Sequence, residues 1–221
     1  MASNTQANTN IVQQLYKARQ NVLNILEKVY DYDISEYTGF SMTEVDIMYN
    51  NTQLDMLLTH KKDEESGELE STQKVFIKFC VWGAFNSSAL SGILEDLYVH
   101  SDTLTKNDCL YIVSLTEPND SLINYLNYIY TNDDYFVVVQ NIKRLQFNIL
   151  EHELVPDVEI LSEKETEEVK KKYNVSDNKK FPEISRYDPQ ALAICLRPGK
   201  LCRFIRNSPT SMTSEYYRVC V

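Results

Sequence analysis

Three short β-rich runs separated by helix-length stretches constrain this chain more than any other feature. Residues 74–82 place Val75, Ile77, Phe79 and Val81 on one face, as a strand with one buried side requires. Residues 109–115 form an apolar strand that stops before Pro118, and residues 135–139 form another. Between them, residues 87–99 read as a helix, and Asp120 or Ser121 caps a second helix that runs to Tyr130. Upstream, Leu54, Met56 and Leu58 alternate with polar residues as in a half-buried strand. Ile11, Leu15, Ala18, Val22, Leu26 and Val29 recur at steps of four and three, the stripe of an amphipathic helix. Ser41 with Glu44 is a capping-box start for a short helix to about Tyr49. Helices alternating with short strands predict an α/β domain on a small sheet. A disordered start is expected at 1–8 and a polar loop at 61–72.

The remainder has a different texture. Residues 145–149 read as a strand leading through His152 to Pro156. Ser162 caps a helix over 163–173, with Glu in its first turn and Lys170, Lys171 and Lys172 at its end. That order matches both ends of a helix dipole, so the lysine run reads as a solvated helix end rather than a nucleic-acid patch. Residues 176–180 form a polar loop, Pro189 opens a short helix, Gly199 suits a turn, and strands at 201–206 and 215–219 flank a hairpin loop.

Charge is uneven along the chain. Residues 1–145 hold 20 acids and 10 bases, residues 146–181 hold 9 and 6, and residues 182–221 hold 3 and 6. The acidic stretch argues against free-standing, tight DNA binding, which depends on Lys and Arg displacing counterions. It favours solubility and basic protein partners. Five cysteines without a CxxC pair read as free thiols rather than a disulfide framework or zinc site, and three histidines make a His-rich metal site improbable. No apolar run approaches bilayer length and the start lacks a signal-peptide core, so no membrane partner is expected.

A set of short motifs then falls in order: Glu151-His152-Glu153-Leu154-Val155-Pro156, Phe181-Pro182-Glu183-Ile184, Tyr187-Asp188-Pro189-Gln190-Ala191-Leu192, Leu196-Arg197-Pro198-Gly199-Lys200, Phe204-Ile205-Arg206-Asn207-Ser208 and Tyr216-Tyr217-Arg218-Val219. Their order and spacing over 145–221 resemble the C-terminal assembly domain of the small jaw subunit shared by the three eukaryotic nuclear RNA polymerases, a family with an archaeal RNA polymerase relative. The resemblance implies a non-catalytic subunit of a multisubunit DNA-directed RNA polymerase. Such a subunit docks on the largest subunit, contacts other polymerase subunits and sets a jaw beside downstream duplex DNA. Pro156, Pro182, Asp188, Pro189, Gly199, Ile205, Arg206, Ser208, Tyr217 and Arg218 fall on the family's matching positions. Arg206 and Arg218 are the side chains expected at the partner interface, because a planar guanidinium pairs bidentately with carboxylates. The prolines and Gly199 are expected to shape the backbone. The chain departs from the family at Asp157-Val158, where Lys-His is usual, and at Ser208-Pro209-Thr210-Ser211-Met212, in place of Ser-Glu-Thr-Ala-Gly.

The match is looser upstream. The family's strand-to-helix turn Thr-Pro-Ser-Ala, near downstream DNA, has its counterpart at Thr116-Glu117-Pro118-Asn119-Asp120. Thr116, Pro118 and Asn119 are the candidate DNA-proximal residues, and the flanking acids imply a weak or indirect contact. By resemblance the fold is an α/β jaw domain of restriction-endonuclease-like topology at 9–144 plus a small α+β assembly domain at 145–221. Nuclease chemistry would need a second carboxylate beside Asp55. Lys78 has Phe76 two positions before it and Lys74 has Thr72, so that acid is missing. Asp55 reads as a structural partner, His152 as a hydrogen-bonded residue at a strand end, and Asp63-Glu64-Glu65 as part of a loop. No catalytic residue, metal ligand, cofactor or homo-oligomer is expected. A free-standing transcription adaptor is the alternative, with a magnesium-dependent nuclease behind it. Few Gly, Pro and Arg beside many Tyr, Asn, Ile and Lys suggest an AT-rich genome, and with the divergent jaw they point to a large DNA virus or a fast-evolving eukaryote as source. The expected location is the nucleus for a cellular copy, and the host cytoplasmic viral factory and virion for a viral one.

Overall fold

The computed structural model describes residues 2–60 and 73–221, so the expected loop at 61–72, with Asp63, Glu64 and Glu65, lies outside the described residues. The chain divides into two compact units, Met1–Phe147 and Asn148–Val221, against the 144/145 division expected from sequence.

The first unit runs α1 (Ala2–Tyr30), α2 (Met42–Asn50), β1 (Met56–Leu58), β2 (Val75–Cys80), α3 (Ser87–Leu94), β3 (Cys109–Ser114), α4 (Asp120–Asp133) and β4 (Phe136–Asn141). The sheet order is β1-β2-β3-β4, with β1 antiparallel to β2 and the other pairings parallel. Strands joined through helices are covered on both faces, and every residue of β3 and β4 is buried. Val75, Ile77 and Phe79 of β2 point inward, with Val81 buried just beyond. On α1 the buried stripe is Val12, Leu15, Ala18, Val22 and Leu26, broadened by Leu23 and Ile25.

Several boundaries differ from expectation. α1 already begins at Ala2, where a disordered start was expected; Met1 and the side chains of residues 2–9 lie outside the described residues. The helix expected over 87–99 stays α-helical to Leu94 and continues as a wider π turn over Glu95–His100. The cap of α4 is Asn119, not Asp120 or Ser121: its Oδ1 accepts the Leu122 N–H at 2.9 Å.

The second unit runs β5 (Asp157–Ile160), α5 (Glu163–Tyr173), β6 (Glu183–Ile184), α6 (Pro189–Ala193), β7 (Leu201–Ser208) and β8 (Met212–Cys220). Its sheet order is β5-β7-β8-β6; β7 is antiparallel to both neighbours and β6 is parallel to β8. The strand expected at 145–149 is absent. That stretch falls between 3-10 turns at Ile142–Leu145 and Ile149–Glu151, the second capped by Asn148. A short apolar run fits more than one conformation, and periodicity alone does not decide. On one sheet face Leu161, Phe181, Leu201, Tyr217 and Val219 form a core, and Val169 of α5 with Val175 packs against it. On the other face Cys202, Phe204 and Cys220 are buried, and the Cys220 thiol donates to the Leu196 carbonyl at 3.5 Å, just past α6.

Candidate partner interface

Alternation along the β7–β8 hairpin decides which candidate side chains meet. Opposite residues in an antiparallel pair share a face, and the register sets Phe204 against Tyr216, Arg206 against Ser214 and Cys202 against Arg218. Phe204 and Tyr216 stack at 5.1 Å with 10° between ring planes. Their neighbours Arg206 and Arg218 each hold a guanidinium carbon 5.8 Å from the Tyr216 ring centroid. Two cations thus share one aromatic ring, an arrangement that cation–π attraction permits. Arg218 Nη1 also donates to the Glu183 carbonyl at 2.9 Å, whereas Arg206 is exposed. Among the described residues no carboxylate forms an ion pair with either guanidinium. Both guanidinium groups can donate hydrogen bonds to carboxylates of another surface.

Ile205 and Tyr217 occupy the opposite face. Tyr217 packs on Tyr173 and Phe181 with centroids 5.6 and 6.4 Å away, and its hydroxyl donates to Glu215 at 3.3 Å. Burial, followed by the Glu215 charge, raises its phenol pKa. On the same face Arg203 bonds to Glu159 of β5, and that hydrogen bond raises its pKa further. The candidate residues are therefore split between a face held within the unit and a face whose cations are open. Ser208 ends β7, its hydroxyl 3.3 Å from that of Thr210.

The other candidates shape the backbone. The Pro156 carbonyl accepts Gln190 Nε2 at 2.8 Å, and the Pro182 carbonyl accepts the Val219 N–H at 2.9 Å. Asp188 caps α6 by accepting the Gln190 N–H at 2.9 Å, with Pro189 in the helix's first turn. Gly199 has φ +88° and nothing within 4 Å of the place a Cβ would occupy. Glycine is needed there for the torsion, not for space. Phe204 and Tyr216 lie within the quoted motifs, but the motifs alone do not single them out; the signal that does is their opposition across the hairpin.

In the first unit Thr116, Pro118 and Asn119 lie between β3 and α4, at the C-terminal ends of the parallel strands. The Thr116 carbonyl accepts the Ser114 hydroxyl at 2.7 Å. Glu117, expected to repel phosphate, instead pairs with Arg144 at 3.0 Å, both side chains about half exposed. Arg144 and exposed Lys143 follow β4, so the fold brings to the turn a basic pair far away in sequence. Elsewhere, both Asp55 oxygens are engaged, one with Lys78 Nζ at 2.8 Å and one with the Phe79 N–H at 3.1 Å. Asp55 is thus a structural partner linking the approach to β1 with β2. His152 is hydrogen-bonded, accepting the Leu154 N–H on Nδ1 at 3.2 Å, but it sits at the end of a 3-10 turn and not of a strand. Among the described residues no helix is long and apolar enough to cross a membrane.

The profile of the family described as RNA polymerase Rpb5, C-terminal domain, matches residues 147–220. DNA-directed RNA polymerase subunit Rpo5 of Thermococcus kodakarensis is 42% identical over 76 residues, covering 34% of this chain and 92% of the relative. The Rpo5 of Staphylothermus marinus is 45% identical over 74 residues, 34% of this chain and 80% of the relative. That of Nitrosopumilus maritimus is 39% identical over 79 residues, 36% and 94%.

Proposed function

Because the chain belongs to the Rpb5/Rpo5 family of DNA-directed RNA polymerase subunits, as an accessory rather than a catalytic member, we propose that its second unit docks it on the largest polymerase subunit. It assembles with other RNA polymerase subunits. The observation that carries the docking assignment is the Arg206–Tyr216–Arg218 ladder, two guanidinium groups on one ring without an ion pair among the described residues. Carboxylates of the largest subunit are its partners; Pro156, Pro182, Asp188, Pro189 and Gly199 hold the hairpin in shape, and Ile205 and Tyr217 brace its far face.

The first unit is a jaw of restriction-endonuclease-like topology beside downstream duplex DNA. Supporting this are its mixed sheet, one antiparallel strand beside three parallel ones, and the turn at Thr116, Pro118 and Asn119. There the Asn119-capped start of α4 and exposed Lys143, beside an Arg144 that Glu117 already engages, offer donors and positive charge to phosphates. The subunit acts where its polymerase acts, in the nucleus for a cellular copy and in cytoplasmic factories and virions for a viral one.

The test is affinity purification of the tagged full chain from its native source at high salt, with stoichiometry by mass spectrometry. One copy per pair of large subunits is expected. Arg206→Ala with Arg218→Ala should lower retention by at least about tenfold, as loss of central interface arginines does, while the free chain keeps its thermal midpoint within a few degrees. Full retention by the double variant would remove the ladder from the interface. Absence of the large subunits from the wild-type sample would remove docking altogether.

A further inference from the structure

Arg19 lies in the middle of α1, far from the hairpin in sequence, and is only 4% exposed. Its Nη1 donates to the Leu54 carbonyl at 3.3 Å, and its guanidinium carbon sits 5.1 Å from the Phe40 ring centroid and 5.8 Å from that of Tyr37. Among the described residues Nε has no hydrogen-bond partner and no carboxylate pairs with the group. Burial lowers its pKa, with Tyr37 acting in the opposite direction. A buried cation with an orphaned donor is costly unless an anion reaches it.

Space for one is at hand. Arg19 lines a cleft of about 310 Å³ with Tyr16, Tyr37, Thr38, Gly39 and Phe40, all in the first unit. That volume is at the lower end for small-ligand sites. We propose that this cleft binds a carboxylate carried on a small, flat or apolar body, with the carboxylate beside the Arg19 guanidinium and the body against the aromatic rings. One cation matches a monoanion. A phosphate dianion would be half compensated, in a stretch where residues 1–145 already carry 20 acids against 10 bases. Two sources offer this chemistry: a free aromatic acid, and a glutamate side chain in an apolar peptide segment. The inference does not depend on the docking role of the second unit.

The full chain is titrated by NMR with phenylacetate and with its neutral amide, and in parallel with a short apolar peptide carrying one glutamate and its glutamine version. At least one acid should bind, at least about tenfold more tightly than its amide, with shifts centred on Arg19 and residues 37–40. The arm that binds more tightly identifies the source. Arg19→Met should weaken the acid by at least about tenfold yet leave the thermal midpoint at or above wild type, because an uncompensated buried charge is gone. Should that variant not fold, the wild-type shift map and the acid-to-amide ratio decide. Equal binding of acid and amide, shifts away from Arg19, or no binding of either acid at tens of millimolar overturns the proposal.

Discussion

Cys202 and Cys220 carry the clearest pH signature in the second unit. Burial, with Cys220 nearby adding to it, pushes the Cys202 thiol up to about 12. Burial pushes Cys220 up to about 11, against the opposing pull of Arg186. Both pKa values lie above that of a thiol in an unfolded chain, about 8.5. The unfolded state therefore loses these protons first as pH rises, and the native state is penalised. Their contribution is complete below about pH 8.5 and is lost as pH climbs towards 11 and 12. Urea unfolding should show stability falling between pH 8.5 and 10.5, by at most about 1.4 kcal/mol per pH unit for each thiol. A flat profile would mean that neither thiol is shielded. Alkylation of native protein at pH 8 should be slow for both.

α5 illustrates what a sequence can specify unaided. Ser162 accepts the Glu165 N–H at 3.4 Å, and the Glu165 carboxylate accepts the Ser162 N–H at 2.9 Å, a reciprocal cap legible from two letters. The Ser162 N–H and hydroxyl hold the Glu165 carboxyl below its usual pKa. The cap is complete above the usual carboxylate range and fades as pH falls through the depressed value. Ser162→Ala should cost about 1 kcal/mol in chemical denaturation. The loss should be transmitted to the core that Val169 and Tyr173 help to cover. The caps of α2 and α5, the periodic helices and the β7–β8 hairpin are readable because their causes are local. What is not readable is set at long range. Residues 145–149 form no strand, and the Leu145 carbonyl instead accepts Asn21 Nδ2 at 2.8 Å, a partner far away in sequence. β5 leaves no signal of its own because its four residues become a strand only beside β7. For the interface, Arg206 and Arg218 are readable from their motif, but the ring between them needs the register. The Glu117–Arg144 pair spans two strands and leaves no local trace.

The chain divides into two compact units, and the relatives speak to how independent they are. The match makes up 92% of the Thermococcus kodakarensis relative, so a chain of about this size stands without a jaw of this kind. Residues 148–221 produced alone should therefore unfold cooperatively and keep association with the polymerase, whereas residues 1–147 should not be retained. Circular dichroism melting and co-purification of each fragment would check this, and an unfolded 148–221 fragment would refute it. The hairpin imposes a further rule on such a chain. Its open and braced faces alternate at every step, so parity is part of the message written on it. One residue inserted within β8 ahead of Tyr216 would carry Arg218 to the packed side and Tyr217 out to the face that keeps only Arg206, with composition all but unchanged. Divergence here can rewrite letters freely in the turn at residues 209–211, but along the strands it can change length only in pairs.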